Sequence, residues 1–376
     1  MFAKYLVPFL QHRRFQSERR LYTEACRANE VNPKLVVLAT NRKWDNGSNL
    51  AYLKEALDKT DYEVKILETD KIHPEAKDFY VILSQAKYLI IDDFFQLFYA
   101  LDLRKETIFI QVWHALGAYK TFGYGREGKA AVASPYSLTH KNYTYAITSS
   151  TSLVDIYAKS FGISKAKVIP TGIPRSDLFF RSDKIKESKD YFYSKYPELK
   201  DKKIILFAPT FRGDSKKNAH YPLEYFPLDK FSKSLKNDEV LILRQHPFVK
   251  QRMEIPPESK DKIYDLSDYG DINGLLLVSG LLITDYSSLI FEAALAKLPT
   301  IFYLPDLKEY INERDFYYPF ETYKIGEVYE SFDQLLEGYH LAKPDETKVT
   351  DLKKRFMDRC DGQATKRFIA EILERK

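Results

Sequence analysis

The residues best placed to do chemistry stand in a turn between an apolar strand and a helix, within residues 281–306. The turn carries hydroxyl and carboxyl groups, on Thr284, Asp285, Ser287 and Ser288. The first backbone N–H groups of a helix have no partner inside it, and the helix dipole favours negative charge there. The turn therefore predicts a phosphate site, and the ordinary alternative is a polar helix cap that binds no ligand.

Three other segments read as a buried strand followed by polar side chains, at 107–126, 202–214 and 240–248. The side chains concerned are His114 and Lys120, Thr210 and Arg212, and Arg244 and His246. Guanidinium groups match phosphate oxygens, and imidazole takes up a proton near neutral pH. Because α/β folds bind their ligands at strand ends, the set predicts chemistry on a phosphate group. Each residue taken alone could be structural.

Five short motifs occur in one order along the chain, and together they resemble the CDP-glycerol glycerophosphotransferase family. The motifs are Trp113–His114, Gly172–Asp177, Ala208–Arg212, Arg244–Pro247 and Thr284–Ser288. The similarity covers roughly residues 105–345, and the last motif with its following helix is the most specific part. This family builds teichoic acids and related polyol-phosphate polymers of Gram-positive cell walls.

The resemblance implies a particular α/β fold, the GT-B type. Two Rossmann-like domains would face a central cleft, with the donor nucleotide mainly on the second domain. The C-terminal helix would return to the first domain. Strands that alternate with helices along the chain predict the same class independently, because that alternation is typical of parallel βαβ units.

The reaction implied by the resemblance is transfer of glycerol phosphate from CDP-glycerol, with release of CMP. The acceptor would be an undecaprenyl-diphosphate-linked saccharide or a growing polyol-phosphate chain. The compactness of the chain favours a primase that adds one or few units over a polymerase. The alternative is a CDP-ribitol ribitolphosphotransferase or a capsule polymer transferase. A further alternative is a GT-B glycosyltransferase that uses a nucleotide sugar, because fold does not fix function. A non-catalytic nucleotide-binding subunit is disfavoured by the intact His114, Arg212 and His246.

His246 and His114 are the candidate catalytic residues, since an alcohol must lose its proton to attack phosphorus. We place His246 beside the phosphate and His114 on the acceptor side. The predicted ligands of the donor phosphates are Arg212, Thr210, Arg244, Thr284, Ser287 and Ser288, with Asp285, Lys120 and Arg175 as further candidates. Asp285 suits fixing of the turn better than the role of a base. Neither a metal nor another cofactor is expected, because the cations could stabilise the leaving CMP.

Composition narrows the class of protein. The 376 residues suit about two domains, and 44% of them are hydrophobic. The net charge of +5 comes without a long basic block, so nucleic acid is not an expected partner. Cys26 and Cys360 make neither a disulfide framework nor a zinc site, which is typical of a reducing cytoplasm.

Residues 1–30 form a basic segment with apolar side chains near helical spacing. The apolar side chains are Phe2, Tyr5, Leu6, Phe9 and Leu10. The segment resembles no signal peptide, and no apolar run is long enough to span a membrane. It predicts peripheral attachment to the anionic cytoplasmic face of the cell membrane. A packed first helix is the alternative, and Pro8 interrupts the pattern.

The remaining organisation follows from apolar runs and charged stretches. We assign an N-terminal Rossmann-like acceptor domain to residues 31–190, a C-terminal CDP-polyol donor domain to 200–350 and a terminal helix to 351–376. The charged stretch 182–203 is predicted to be the junction. Four histidines in unpatterned segments are expected at the surface: His73, His140, His220 and His340.

Overall fold

The computed structural model describes residues 3–41, 43–68, 76–126, 134, 136–213, 217–313 and 315–375. The chain divides into two compact units. The first unit runs to Asp177 and includes the residues from Phe356 onward, and the second comprises Leu178–Arg355. No helix among the described residues is both long and apolar enough to cross a membrane.

Two helices open the first unit, α1 (Ala3–Arg14) and α2 (Gln16–Ala28). Helix α2 buries Tyr22 and Ala25, so it belongs to the core of this unit. Helix α1 continues through Pro8, but large apolar side chains on it stay exposed. Those side chains are Tyr5, Leu6, Phe9 and Leu10.

A six-stranded parallel sheet forms the centre of the first unit, in the order β2-β1-β3-β4-β5-β6. Its strands are β1 (Asn32–Thr40), β2 (Glu63–Glu68), β3 (Ala86–Ile91), β4 (Ile108–Gln111), β5 (Tyr145–Ile147) and β6 (Val168–Ile169). The intervening helices are α3 (Asn49–Leu57), α4 (Lys77–Gln85), α5 (Gln96–Ala100) and α6 (Val154–Phe161). Residues 35–40 of β1 and nearly all of β3 are buried, which is why both read as mainly apolar runs.

The second unit contains another six-stranded parallel sheet, in the order β12-β11-β10-β7-β8-β9. Its strands are β7 (Lys203–Ala208), β8 (Glu239–Leu243), β9 (Ile263–Asp265), β10 (Leu281–Thr284), β11 (Thr300–Tyr303) and β12 (Glu327–Tyr329). Its helices are α7 (Ser182–Lys195), α8 (Leu228–Ser234), α9 (Ile272–Val278), α10 (Leu289–Leu295), α11 (Leu307–Glu313), α12 (Phe332–Gly338) and α13 (Glu346–Phe356), the last of which ends at the return to the first unit. Apolar clusters cover both faces of this sheet.

The chain returns to the first unit through α14 (Ala364–Phe368) and a π-helical turn (Ile369–Leu373). The carboxylate of Asp177 accepts hydrogen bonds from the first backbone N–H groups of this segment, at 2.9 Å from both Ala364 and Thr365. Gly172 has a φ of 85°, and a Cβ atom there would lie 2.1 Å from the carbonyl oxygen of Arg359. Only glycine allows this close approach of the two backbones.

The structure corrects two of the boundaries predicted from sequence. The charged stretch 182–203 is not a junction, because helix α7 packs Phe192 into the core of the second unit. The division falls earlier, after Asp177. Residues 351–376 are not one helix either, since α13 and α14 are separated by a turn in which Gly362 has a φ of 85°.

Candidate functional site

The first sheet carries a polar pocket where its strand order reverses. Strand β1 is followed on one side by β2 and on the other by β3, and ligands of open α/β sheets bind at such a switch point. The pocket lies at the carboxyl ends of β1, β3 and β4. Its lining is Thr40, Lys43, Trp44, Asp45, Ser48, Asn49, Leu50, Asp92, Trp113, His114 and Arg175. The structure thus brings His114 and Arg175 together, as candidates for one site.

The backbone before His114 is held in an unusual conformation. Trp113 has a φ of 54°, a left-handed value that is rare for a bulky residue. Two buried amide side chains secure it. Asn49 donates to the Trp113 carbonyl at 2.7 Å, and Gln111 accepts from the Trp113 N–H at 2.8 Å. Because strained residues persist only when their surroundings fix them, these amides set the direction in which His114 leaves the strand.

The hydrogen bond of His114 fixes the tautomer of its neutral ring. Its Nδ1 lies 3.3 Å from the carbonyl oxygen of Asp92, and a carbonyl can only accept. The proton is therefore on Nδ1, and Nε2 carries the lone pair. The carboxylate of Asp93 lies 3.7 Å from the same nitrogen, where it would stabilise the protonated ring. This arrangement suits a general base whose partner orients it.

Of two further predicted residues in the first unit, Arg175 lines this pocket and Lys120 does not. The backbone N–H of Arg175 donates to Asn49 Oδ1 at 3.1 Å, which ties the Gly172–Asp177 motif to the pocket. Lys120 is half-buried in the segment after β4 and is not among the lining residues. The structure therefore supports Arg175 as a member of the site and gives no such support to Lys120.

The second sheet also has a switch point, between β7 and β10, and Arg212 is buried there. Its guanidinium binds both oxygens of Asp306, at 2.5 and 2.9 Å, and Asp285 at 3.0 Å. It also donates to the Thr210 carbonyl at 2.7 Å. We call Arg212, Asp285, Asp306, Thr210 and Tyr286 the arginine cluster.

Charge and aromatic contacts reinforce the arginine cluster. Burial alone would lower the pKa of Arg212, but Asp285 and then Asp306 outweigh it and raise that pKa above its ordinary value. Tyr286 donates to Asp306 at 3.0 Å, and burial followed by the charge of Asp306 raises the pKa of this phenol. The guanidinium lies 5.0 Å from the ring centre of Tyr286 and 5.0 Å from that of Tyr310. The guanidinium is therefore permanently charged and enclosed.

Three of the predicted donor ligands make contacts inside the protein in this arrangement. Arg212 uses four of its five N–H groups inside the protein, so it organises the loops after β7, β10 and β11. The Thr284 hydroxyl is fully buried and donates to the Ala208 carbonyl at 2.7 Å. Thr210 is buried and holds the cluster through its backbone. These residues shape the edge of the sheet from below through contacts inside the protein, and their role as phosphate ligands stays a prediction.

Asp285 fixes the turn that contains it. Its Oδ1 accepts from the backbone N–H of Thr210 at 2.7 Å and of Tyr286 at 2.6 Å, while Oδ2 accepts from Arg212. The side chain is 2% exposed, so it is not placed to take a proton from a substrate. The structure agrees with a turn-fixing carboxylate, the role that its residue type favoured.

Four predicted residues remain half-buried on this edge: Arg244, His246, Ser287 and Ser288. The ring of His246 contacts two phenylalanines, with centroids 4.7 Å from Phe211 and 4.8 Å from Phe248. Its Nδ1 accepts from the Phe248 N–H at 3.2 Å, and an N–H can only donate. The neutral ring of His246 therefore carries its proton on Nε2, the opposite tautomer to that of His114.

One surface expectation is wrong. His140 is fully buried, with Nδ1 2.8 Å from the Tyr143 hydroxyl, and burial lowers its pKa to about 3. His220 and His340 are exposed, as predicted, and His73 lies outside the described residues. The unpatterned segment around His140 gave no sign of burial, because its aromatic neighbours Phe94 and Phe161 come from distant parts of the sequence.

Sequence reasoning missed Asn49, Gln111 and Asp306 as parts of these sites. Asn49 stands at the start of a helix and Gln111 inside a strand, where amides are usually unremarkable. Asp306 follows the apolar strand β11, and that position was the one available signal. Among the described residues, no group of three or more His, Cys, Asp or Glu side chains could hold a metal ion.

Comparison with solved structures gives the fold class. The wall teichoic acid polymerase TagF matches with a TM-score of 0.77 at 21% identity, over 100% of this chain and 98% of that one. The protein therefore has a TagF-like GT-B fold with two parallel six-stranded sheets, as the motifs implied. At this identity the likeness establishes the fold alone.

The chain belongs to the CDP-glycerol:poly(glycerophosphate) glycerophosphotransferase family, whose model matches residues 8–374. This confirms the resemblance drawn from the five motifs. The match includes the N-terminal residues from 8 onward, in which no motif was identified.

Three similar proteins are named for transfer of different polyol phosphates. The teichoic acid poly(ribitol-phosphate) polymerase of Bacillus spizizenii is 38% identical over 91% of this chain and 56% of its own length. The teichoic acid ribitol-phosphate primase of the same organism is 38% identical over 77% of this chain and 76% of its own length. The teichoic acid glycerol-phosphate primase of Bacillus subtilis is 33% identical over 62% of this chain and 59% of its own length. The chain thus spans about half the length of the first of these relatives.

Proposed function

We propose that this protein transfers ribitol phosphate from CDP-ribitol to a terminal hydroxyl of a lipid-linked teichoic acid acceptor and releases CMP. The family resemblance alone favours glycerol phosphate, with ribitol phosphate as the alternative. The comparisons favour the second, because the relatives named for ribitol phosphate are more similar over more of the chain. The observation that carries the proposal is the pair of histidines at the two switch points, which hold opposite tautomers.

In the proposed reaction, His114 takes the proton from the attacking hydroxyl of the acceptor. The acceptor oxygen forms a bond to the phosphorus that carries ribitol, while the bond from that phosphorus to the oxygen of CMP breaks. The hydroxyl proton passes to Nε2 of His114, which carries the lone pair in the tautomer fixed by Asp92. The resulting imidazolium is stabilised by Asp93, and CMP leaves with the bonding electrons.

The second unit is proposed to bind the diphosphate of the donor. In the neutral ring of His246 the Nε2–H is a donor, so it can bind a phosphate oxygen but cannot take up a proton there. Arg244 would add a guanidinium, and Ser287 and Ser288 would add hydroxyl groups. Arg212 keeps the underlying loops in place and thereby acts as a positioning residue in this scheme.

The basic N-terminal helices are proposed to hold the enzyme at the cytoplasmic face of the membrane, where a lipid-linked acceptor resides. The exposed apolar side chains of α1 and the exposed Arg13 and Arg20 support this. Two other arginines of these helices contact other parts of the first unit. Arg14 donates to Gln96, and Arg19 forms an ion pair with Asp102 at 2.5 Å.

Donor choice is tested by incubating the protein with a lipid-linked saccharide that already carries one polyol phosphate. Parallel reactions receive CDP-ribitol, CDP-glycerol or a panel of UDP-sugars. We expect CMP release to be fastest with CDP-ribitol, and the mass of the product counts the units added. Preference for CDP-glycerol would restore the other donor, and release of a nucleoside diphosphate from a sugar donor would overturn polyol-phosphate transfer altogether.

The division of roles is tested with His114→Ala and His246→Ala, and His220→Ala serves as the exposed control. Loss of a general base costs roughly 10²–10⁴-fold in rate. We expect His114→Ala to lose turnover to that extent while CDP-ribitol binds normally in calorimetry. We expect His246→Ala to weaken CDP-ribitol binding as well. The assignment fails if the effects on donor affinity are the reverse.

A further inference from the structure

We propose that the pocket of the first unit binds the terminal polyol of the acceptor together with the phosphate next to it. The inference rests on the proposed function, and it names the part of the acceptor that the enzyme recognises. The pocket contains His114, the base of the proposed reaction, so a hydroxyl bound there would be the one that attacks.

The size of the pocket suits a short polyol. The pocket has a volume of about 60 Å³, and because one water needs about 10–15 Å³ of such space, about four to six waters fit. That space corresponds to the last few carbons of a polyol with their hydroxyls.

The buried part of the lining suits hydroxyl groups. Asp92 is 6% exposed and Asn49 is 2% exposed, and both border the pocket beside Trp113. Carboxylates accept hydrogen bonds from hydroxyls, and an indole ring offers an apolar surface to the C–H groups of a polyol. Asn49 is anchored to both Trp113 and Arg175, so this part of the pocket is held in shape before a ligand arrives.

The outer part of the lining suits a phosphate joined to that polyol. Lys43 is exposed, and Arg175 borders the same pocket, so two cations lie along this part of the lining. The carboxylate of Asp45 also borders the pocket, and because it repels anions, the site does not suit a free anion alone. A ligand that combines hydroxyls, for Asp45 and Asp92, with a phosphate, for Lys43 and Arg175, matches the mixed charges of this lining.

The tryptophans make the pocket directly observable. The chain contains two of them, Trp44 and Trp113, and both line this pocket. We therefore titrate the full-length protein with ribitol 5-phosphate, ribitol or inorganic phosphate, and record tryptophan emission. We expect ribitol 5-phosphate to change the emission until it saturates, with a lower half-saturating concentration than ribitol or inorganic phosphate. The proposal is overturned if ribitol 5-phosphate has no effect up to its solubility limit, or if inorganic phosphate alone acts equally well.

Two variants each remove one charge from the pocket and are expected to preserve the local structure. Asp45→Asn keeps an oxygen for the hydrogen bond from the Gly47 N–H, which is 2.8 Å long, and Lys43→Met changes an exposed side chain. A hydrogen bond to a charged group is worth about tenfold or more in affinity. We expect each variant to weaken ribitol 5-phosphate binding and raise the acceptor KM by about tenfold, with the donor KM unchanged. Lys54→Met, on helix α3 and outside the lining, is the matched control.

The outcomes separate this proposal from the proposed function. If wild-type protein releases CMP from CDP-ribitol while both variants keep the wild-type acceptor KM, the reaction stands and the pocket assignment is wrong. If wild-type protein shows no polyol-phosphate transfer, the proposed function fails. The fluorescence titration then still decides whether the pocket takes a polyol phosphate.

Discussion

Replacing Arg212 with Met tests whether this residue holds the fold of the second unit or binds the donor. The substitution removes a cation whose guanidinium lies 3.0 Å or less from two buried carboxylates. Loss of one partner from a buried ion pair costs about 3–5 kcal/mol, because the remaining charge is left uncompensated. Here Asp285 and Asp306 both remain. We therefore expect Arg212→Met to lower the free energy of unfolding by at least about 3–5 kcal/mol.

A matched control comes from an exposed ion pair in the same unit. Lys203 and Asp238 lie 2.8 Å apart, but their side chains are 67% and 49% exposed. Exposed pairs contribute about 0–1 kcal/mol, so Lys203→Met is expected to lose no more than that. Arg212→Met with Asp306→Asn removes one of the two stranded charges and should recover part of the stability.

The assay is urea unfolding followed by two signals. Both tryptophans lie in the first unit, so their emission follows that unit, while far-ultraviolet circular dichroism follows both. Arg212→Met should move the circular dichroism transition and leave the tryptophan transition near its wild-type position. If Arg212→Met instead unfolds like Lys203→Met and loses affinity for CDP-ribitol, Arg212 is a ligand contact and the structural reasoning is wrong.

Two further predictions concern the first unit. His140 has a folded-state pKa of about 3 against 6.5 when unfolded, so the unfolded state binds more protons between these values and stability falls as pH drops below about 6.5. The loss from this residue is about 2 kcal/mol at pH 5, and His140→Asn, which tolerates the φ of 66°, should remove that share of the pH dependence of tryptophan-monitored unfolding. Changing Arg13 and Arg20 to Gln should weaken sedimentation with anionic liposomes by about 1 kcal/mol per residue, whereas changing Lys165, which pairs with Asp155, should not. Unchanged sedimentation would place any membrane contact elsewhere.

Strand positions were predictable from sequence where burial makes the pattern continuous. The apolar runs at β4, β7, β8 and β10 were identified, since these strands are buried. Strand β12 has only three residues, Glu327–Tyr329, which are too few to show a pattern. The order of strands in each sheet could not be predicted, because a local sequence pattern does not show which strands pair.

The residue types of the candidate sites were predictable, but their partners were not. Arg212 binds Asp306, which lies 94 residues away in sequence. Nothing local to either residue signals that contact, so no sequence pattern indicated that this arginine is buried among carboxylates. The same reasoning explains why His140 was expected at the surface. Side chains named by motif thus define a site correctly only where the fold leaves them accessible.

The return of the chain to the first unit has a consequence for synthesis and folding. Residues 178–355 form one continuous stretch, so the second unit has all its residues before the first unit does. The first unit needs residues from 356 onward, where Asp177 caps α14 and the Tyr88 hydroxyl donates to the Leu373 carbonyl at 2.6 Å. Because domains fold as units when their residues are available, the second unit can form from its own stretch, whereas the first unit closes only after residues from 356 onward have been added.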